Sequence, residues 1–599
     1  MSGRRVRRGA GALGAALVLA LLTACVSLPE SGPVRTGESV VEEQVGDAPY
    51  FAPPSPVAGS TPGQVAVGFV RAMEANPLTT AVARQYLTPE AARGWNPDSG
   101  TLVYTSMSVL TREEDVEVEL RGVRRLDDRG AWLGGSPGDT EMLRLRVRQV
   151  EGEWRIADPP NALVVPDSYF RGRFDRAALY FFDASGQLLV PEVVYVPRGE
   201  QMATRLVRGL LEGPDPVTGS SLRSFLPAPA SVDLSVPVDD GVAEVALDTG
   251  EASSQAGTDG SESDAVRRMA VQLSWTLRQV PGVRRVEVLV DGTPLTFPGG
   301  AGDVSVAVGA DQDPAVVWAS RSLFGVRDGR VVEVSDGREE KVSGPFGTTA
   351  GRWRSLGIEL AGGQLALVTA DGGSLLLGPV DARPGTDDSL PPPVWSGEDL
   401  LAPAWDHHGS WWTVDRAGGT ATVVVGRPEK PAPVAVPGVT GEDVVAFVVS
   451  RDGTRLAAAV RGAAGRPDRV VVARLLRGAR GRVLRATPAR ALDSVAEARL
   501  RGITDLGWTS PTTLAVLTAP TVGVSQVHVG PIDGSSGVGE ESFVPRTFRS
   551  ETRGLVTSPA SGLPLLVDTA DGRLYQLSTT GRWGVAETTE GLLLPTYVG

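Results

Sequence analysis

One cysteine, Cys25, occurs among 599 residues, and its surroundings are those of a thiol set up to react. Four arginines (Arg4, Arg5, Arg7, Arg8) precede an apolar run from Ala10 to Leu22, and the small pair Thr23-Ala24 leads into the cysteine. A basic stretch, an apolar core of roughly a dozen residues and small residues at its exit read as a secretory signal. The run falls short of the about 20 apolar residues that a membrane span needs. Sulfur is the strongest nucleophile among the side chains, and small neighbours let a peptidase close around the adjoining bond. An ordinary cleaved signal with an incidental cysteine is the plainer alternative, but it leaves an odd thiol in an exported chain without a role.

Leu22-Thr23-Ala24-Cys25 looks like a bacterial lipobox. In such signals the thiol is alkylated with diacylglycerol, the chain is cut before the cysteine, and the new amino terminus is acylated. That resemblance makes Cys25 the lipidation residue, Leu22, Thr23 and Ala24 its recognition sequence, and residues 1–24 a signal peptide. Two or three acyl chains give stable anchoring where one is marginal. The chain after Cys25 is expected on the extracytoplasmic face of a cell membrane.

Other chemistry is sparse. With the cysteine committed to lipid and three histidines (His407, His408, His528), a zinc or copper site is not expected. His407-His408 adjoin Trp405, Trp411 and Trp412, which read as a blade loop beside core tryptophans rather than a ligand face. Adjacent histidines on a strand would point to opposite faces. Asp259, Glu262 and Asp264 lack the spacing and glycine of a calcium loop, and helix capping accounts for them better. No glycine-rich loop ending in Lys-Ser or Lys-Thr is present. The aspartates of Asp-Gly pairs at 328, 336, 371, 452, 533 and 571 sit where hairpins demand them. The chain is expected to be no enzyme and to carry no cofactor.

A 41% hydrophobic, 22% charged composition is globular, and 73 glycines with 45 prolines favour turns and β-structure. The net charge of −13 becomes more acidic once the arginine-bearing signal is removed, which argues against nucleic acid and anionic headgroups as partners. Lys341 and Lys430 are the only lysines, a bias of the kind high-GC genomes impose. With one cysteine no disulfide forms within a monomer, so stability must come from packed cores.

The elements divide the chain into a multidomain array. Residues 25–58 are a proline-bearing linker that lifts the body off the bilayer. Residues 59–166 open with helices at Thr61-Pro62 and Thr88-Pro89. They continue with strands near Thr101–Met107, Val116–Val123, Met142–Val147 and Trp154–Ile156, a small α+β domain. Residues 173–298 form a second α+β domain. Strands at Ala177–Phe182 and Leu188–Val196 precede a helix at Glu200–Leu211, an Asp240-Gly241 hairpin, a long helix through Val266–Val280 and a strand at Val286–Val290. Residues 304–594 are all-β and weakly repetitive at roughly 40 to 60 residues, the scale of a four-stranded blade. They predict a propeller of about six blades, with seven or a sandwich array as competitors and the closing strand from either end. One half-unit lies at Val316-Val317-Trp318, and Phe447 to Ala457 resembles the blades of TolB-like propellers.

Three stretches carry a closer resemblance. Val26-Ser27-Leu28-Pro29 follows the lipid cysteine, and Val82-Ala83-Arg84-Gln85-Tyr86-Leu87-Thr88-Pro89 lies in the first domain. Leu211-Glu212-Gly213-Pro214, Ser224-Phe225-Leu226-Pro227, Gln272–Leu277 and Val288-Leu289-Val290-Asp291-Gly292 lie in the second. With the domain order, they identify the chain as resembling the actinobacterial LpqB lipoprotein family: an NTF2-like domain, a GerMN domain and a C-terminal propeller. The resemblance implies an accessory role beside an MtrAB-type two-component system. The partner it implies is the extracytoplasmic sensor domain of the MtrB-like histidine kinase, with effects on envelope homeostasis and division. Only Cys25 and Leu22 to Ala24 carry over as functional residues. Alternatives are an envelope glycan- or lipid-binding scaffold and a propeller hydrolase. A deep apolar cavity in the first domain would mark the scaffold, and carboxylates about 5 to 10 Å apart would mark the hydrolase.

Overall fold

The computed structural model describes residues 51–599 apart from 113–114, 220, 228–229, 233–234, 250–259, 298–300, 317–319, 383–388, 428–429, 464, 536–544, 579–580 and 587–589. The first helix, α1 (Pro62–Arg71), starts with a capping box in which Thr61 and Gln64 each accept the other's amide. It buries Val65, Ala66, Phe69 and Val70. Helices α2 (Ala81–Gln85) and α3 (Pro89–Gly94) follow, the latter capped by Thr88. Two four-stranded sheets complete the first domain. Ser106–Arg112, Asp115–Arg121, Thr140–Val150 and Glu153–Ile156 form an antiparallel meander. The other sheet runs Trp132–Gly135, Arg124–Leu126, Thr101–Tyr104, Leu163–Pro166, the last pair parallel. Leu163–Pro166 escapes the sequence pattern because its partner Thr101–Tyr104 is distant in the chain, and the locally paired Arg124–Leu126 and Trp132–Gly135 escape it because they are short and rich in arginine and glycine. Helix α4 (Asp167–Arg173) leads on without a break.

In the second domain, Phe174–Asp183 pairs with Leu189–Pro197 in nine-residue antiparallel register. Helix α5 (Gln201–Glu212) packs on this hairpin and ends at Gly213, whose positive φ lets the chain turn away. Helix α6 (Gly260–Leu277) covers the same core. Val245 and Leu247 enter that core from strand Val242–Asp248, and Val286 and Val288 from the parallel strand Arg285–Val290.

Among the described residues six sheets form the propeller, five of four strands and one, the fourth, with Arg490–Ala491 as a short fifth. Leu593–Thr596 pairs with Leu323–Arg327, so the C-terminal strand closes the first blade from the inside. The domain limits shift accordingly. Asp303–Ser305 pairs with Arg285–Val290 of the second domain, so the first propeller strand among the described residues is Leu323–Arg327 rather than one near Val304, and Val317 and Trp318 of the expected half-unit lie outside the described residues. The closing strand runs past the expected end at 594. Among the described residues no helix is long and apolar enough to cross a membrane.

Candidate functional site

Cys25 and its lipobox residues Leu22, Thr23 and Ala24 lie outside the described residues, as do Asp259 and the side chain of Glu262. Asp264 is an ion-pair partner of Arg268 one helical turn on, at 2.7 Å. What the structure assembles instead is a set of polar junctions between domains, and sequence reasoning reached only their parts.

The first and second domains share a core. Val193 and Tyr195, on the wholly buried strand Leu189–Pro197, pack with Phe170, Phe174 and Trp132. Tyr195 N–H donates to Gly130 O at 2.8 Å. The same strand docks on the propeller. Tyr195 hydroxyl meets Asp533 at 3.1 Å, and Ser535. Glu192 accepts from Arg474 through both oxygens (2.7 and 2.5 Å) and from Arg455 at 3.0 Å. Arg455 is fully buried and also pairs with Asp452 at 3.2 Å. The first domain reaches the propeller too, where Gly135 N–H donates to Asp493 at 3.1 Å. An acid in an otherwise apolar run is seldom buried without a partner, and Glu192 was the available signal.

A second junction is made by Asp183. Its Oδ1 accepts from the amides of Gln187 and Leu188, and its Oδ2 from Ser185 N–H and hydroxyl, which builds the turn after strand Phe174–Asp183. Facing it is the hairpin Asp406–Ser410 of the third blade. Asp406 Oδ1 accepts from the amides of His408 and Ser410; Oδ2 accepts from Trp412 Nε1 and Arg477. This turn, not a strand, carries the two histidines. The expectation that they point to opposite faces therefore fails: their rings lie side by side, centroids 3.8 Å apart and planes tilted by 40°. Both Nε2 atoms face Asp183 Oδ2, His407 at 3.5 Å and His408 at 3.6 Å. All three side chains are at least nine-tenths buried (2%, 7% and 1% exposed). Trp405, Trp411 and Trp412 are core side chains, as expected. Burial alone would raise the Asp183 carboxyl, yet His407 and the turn's donors hold it well below the usual range. Burial brings His408 down to about 4. His528 lies in blade five beside Thr518, remote from this cluster in the sheet order.

Among the described residues, two cavities bear on the alternatives. One of about 460 Å³ lies between the first and second domains, lined by Arg84, Arg129, Arg205, Asp98, Asp127 and Glu212. Arg205–Asp98 and Arg129–Asp127 ion pairs (2.7 and 2.6 Å) occupy its wall. The interior of the first domain is itself filled by Phe69, Met73, Trp95 and Tyr104, so the deep apolar cavity looked for there is replaced by core. The other cavity, about 370 Å³, is the propeller channel, with Asp505, Asp568, Arg553 and Tyr597 on its wall. Asp505 accepts the amides of Leu506 and Leu555 (2.8 and 2.7 Å), tying the fifth blade to the sixth. Burial pushes both Asp505 and Asp568 up to about 6.

Three family models match in chain order. They describe the N-terminal domain of lipoprotein LpqB over residues 55–171, a sporulation and spore germination domain over 178–296, and the LpqB beta-propeller domain over 329–549. The two LpqB models together span more than half of the chain. Lipoprotein LpqB of Thermobifida fusca is 26% identical over 637 residues, covering 97% of each chain. That of Streptomyces coelicolor is 26% identical over 97% of this chain and 96% of its own. That of Nocardia farcinica is 29% identical over 69% and 72%. With all three domains matched in order and relatives aligned nearly end to end, the chain belongs to the LpqB lipoprotein family.

Proposed function

We propose that this protein is a lipid-anchored extracytoplasmic accessory protein that modulates an MtrAB-type sensor kinase by binding its extracytoplasmic domain, without chemistry of its own. The observation that carries the reading is the lipobox cysteine in a chain of this lipoprotein family. A tether through Cys25 confines the body to the plane of a membrane partner, which raises effective concentration and makes a weak interface sufficient. The kinase responds only by as much as the lipoprotein favours one of its signalling states.

The domain junctions suit such a role. A body whose second domain shares a core with the first and is pinned to the propeller by buried ion pairs can transmit a contact made on one domain to the others. Of the channel aspartates, Asp505 supports a structural rather than a hydrolytic use, because it spends both oxygens on backbone amides. A scaffold binding envelope glycan or lipid is the second reading, and the interdomain cavity of about 460 Å³ favours it.

The test is a crosslinking pull-down from membranes with the lipidated protein as bait, beside a Cys25→Ser form. Recovery of the sensor kinase, weakened in the untethered form, is expected. Recovery of envelope glycan or lipid without the kinase would sink the signalling role.

A further inference from the structure

We propose that Asp183, His407 and His408 form a binding site for a divalent transition-metal ion of the zinc class, which clasps the second domain to the third blade of the propeller. The three residues each turn one ligand atom inward, and these atoms lie within 4.8 Å of one another. Neither histidine Nε2 has a hydrogen-bond partner, and both are shut off from solvent. A tetrahedral zinc site with bonds of about 2.0–2.1 Å sets its ligand atoms about 3.3–3.4 Å apart. The Nε2 to Oδ2 separations of 3.5 and 3.6 Å are close to that edge and too long for hydrogen bonds.

Protons satisfy this arrangement poorly. Asp183 Oδ2 already accepts twice from Ser185, so two imidazole N–H groups would compete for one crowded oxygen. Charging both rings would set two cations 3.8 Å apart in a buried site. One divalent ion takes both nitrogen lone pairs and the carboxylate at once. The surroundings are those that orient metal ligands. Amides of the 183–188 turn and the Ser185 hydroxyl fix the carboxylate, while Asp406 fixes the hairpin that presents the rings. Gly481, at positive φ, leaves room for His408, whose Nδ1 lies 2.5 Å from where a Cβ would stand. Imidazole nitrogens select zinc, nickel or copper over calcium or magnesium. Three protein ligands leave one coordination position. The ion's work is structural: it joins residues of two domains, so its binding energy adds to their docking.

The test uses the full lipidated chain in detergent, stripped with chelator and dialysed against Zn²⁺ alone. Mass-spectrometric metal analysis is expected to find one zinc per chain, falling at least tenfold in a His407→Gln/His408→Gln double variant. Because the chain has three histidines, the wild type gives a second measurement that needs no variant to fold. In protein carrying ¹⁵N-histidine, Zn²⁺ should shift the ring nitrogens of two imidazoles and leave His528 unmoved. Wild type that holds less than a tenth of an equivalent, zinc that persists in the double variant, or ring signals unmoved by Zn²⁺ would overturn the site.

Discussion

Glu192→Ala is the sharpest perturbation of the assembled body. The carboxylate lies between Arg455, 2% exposed, and Arg474, 29% exposed, and is itself 12% exposed. Removing one partner of a buried pair costs about 3–5 kcal/mol, because the other charge is stranded. Two features lower the figure here. Arg455 keeps Asp452 at 3.2 Å and the carbonyl of Pro191, and Arg474 can turn into water. A loss of about 2–3 kcal/mol remains, and at 1.4 kcal/mol per decade it shifts the docked-to-undocked ratio roughly 30- to 150-fold. The loss falls on docking, so a global melt is the wrong readout. Amides donated across the junctions report it directly: Arg477 N–H to Ser221 Oγ, and Gly135 N–H to Asp493. Their hydrogen exchange should accelerate by that factor, while amides of strand Asp115–Arg121, inside the first domain, keep their protection. A Glu192→Met/Arg455→Met pair should cost less than the sum of its single changes. Unchanged exchange at Arg477 and Gly135 in Glu192→Ala would show that the ion pairs do not hold the junction.

Four further outcomes are expected. Cys25→Ser should move the protein from the membrane to the soluble fraction and remove the mass of the acyl groups, read by fractionation and intact mass. Gly130→Ala drives its new Cβ against the carbonyl oxygen of Tyr195 at a φ of +87°, and should destabilise by more than about 1 kcal/mol in chemical denaturation. Asp568 has its carboxyl raised to about 6 by burial, so the folded state binds more protons than the unfolded one between about pH 4 and 6. Its contribution therefore favours folding at low pH and is lost as pH rises through that window. Asp568→Asn should gain about 2–3 kcal/mol over wild type at pH 8 and nothing below pH 4, measured by denaturant titration across pH. A chain ended after Gly591 lacks the closing strand Leu593–Thr596 and should lose protection throughout the first blade in hydrogen exchange.

What the sequence disclosed follows from how local each signal is. Thr61 and Thr88 mark helix starts because a cap is settled within four residues. All but one of the Asp-Gly pairs at 240, 291, 328, 336, 371, 452, 533 and 571 are hairpins, of two kinds; the exception, Asp533-Gly534, follows strand Val524–Pro531 and turns its carboxylate to Tyr195. At Asp240, Asp291, Asp328 and Asp336 both residues take positive φ, as a two-residue turn requires. At 371, 452 and 571 only the glycine does, and the aspartate accepts from Thr369, Ser450 or Thr569 two residues earlier. The short strands Arg124–Leu126 and Trp132–Gly135 pair with each other across a short loop, but they are three and four residues long and carry arginines and glycines, so they read as loop. Likewise nothing near His407 announces Asp183. The hairpin is legible, but the carboxylate that meets it is supplied by another domain.

The position of the polar groups decides between two views of the body. If the domains were beads on a chain, their mutual surfaces would be rim-like, with exposed and interchangeable ion pairs. Instead Arg455 is buried against Glu192 of the second domain, and Asp183 is buried against the His407-His408 hairpin of the propeller, while the buried Asp406–Arg477 pair inside the propeller holds that hairpin in place. Buried charge of this kind tolerates little sliding, because a small displacement strands it without water. Glu192 and Asp183, on one hairpin of the second domain, engage the fourth and third blades respectively. Rotation about either contact is blocked by the other. A partner that grips the propeller therefore also positions the first and second domains, and a metal at Asp183 would tighten the same lock rather than open a separate function.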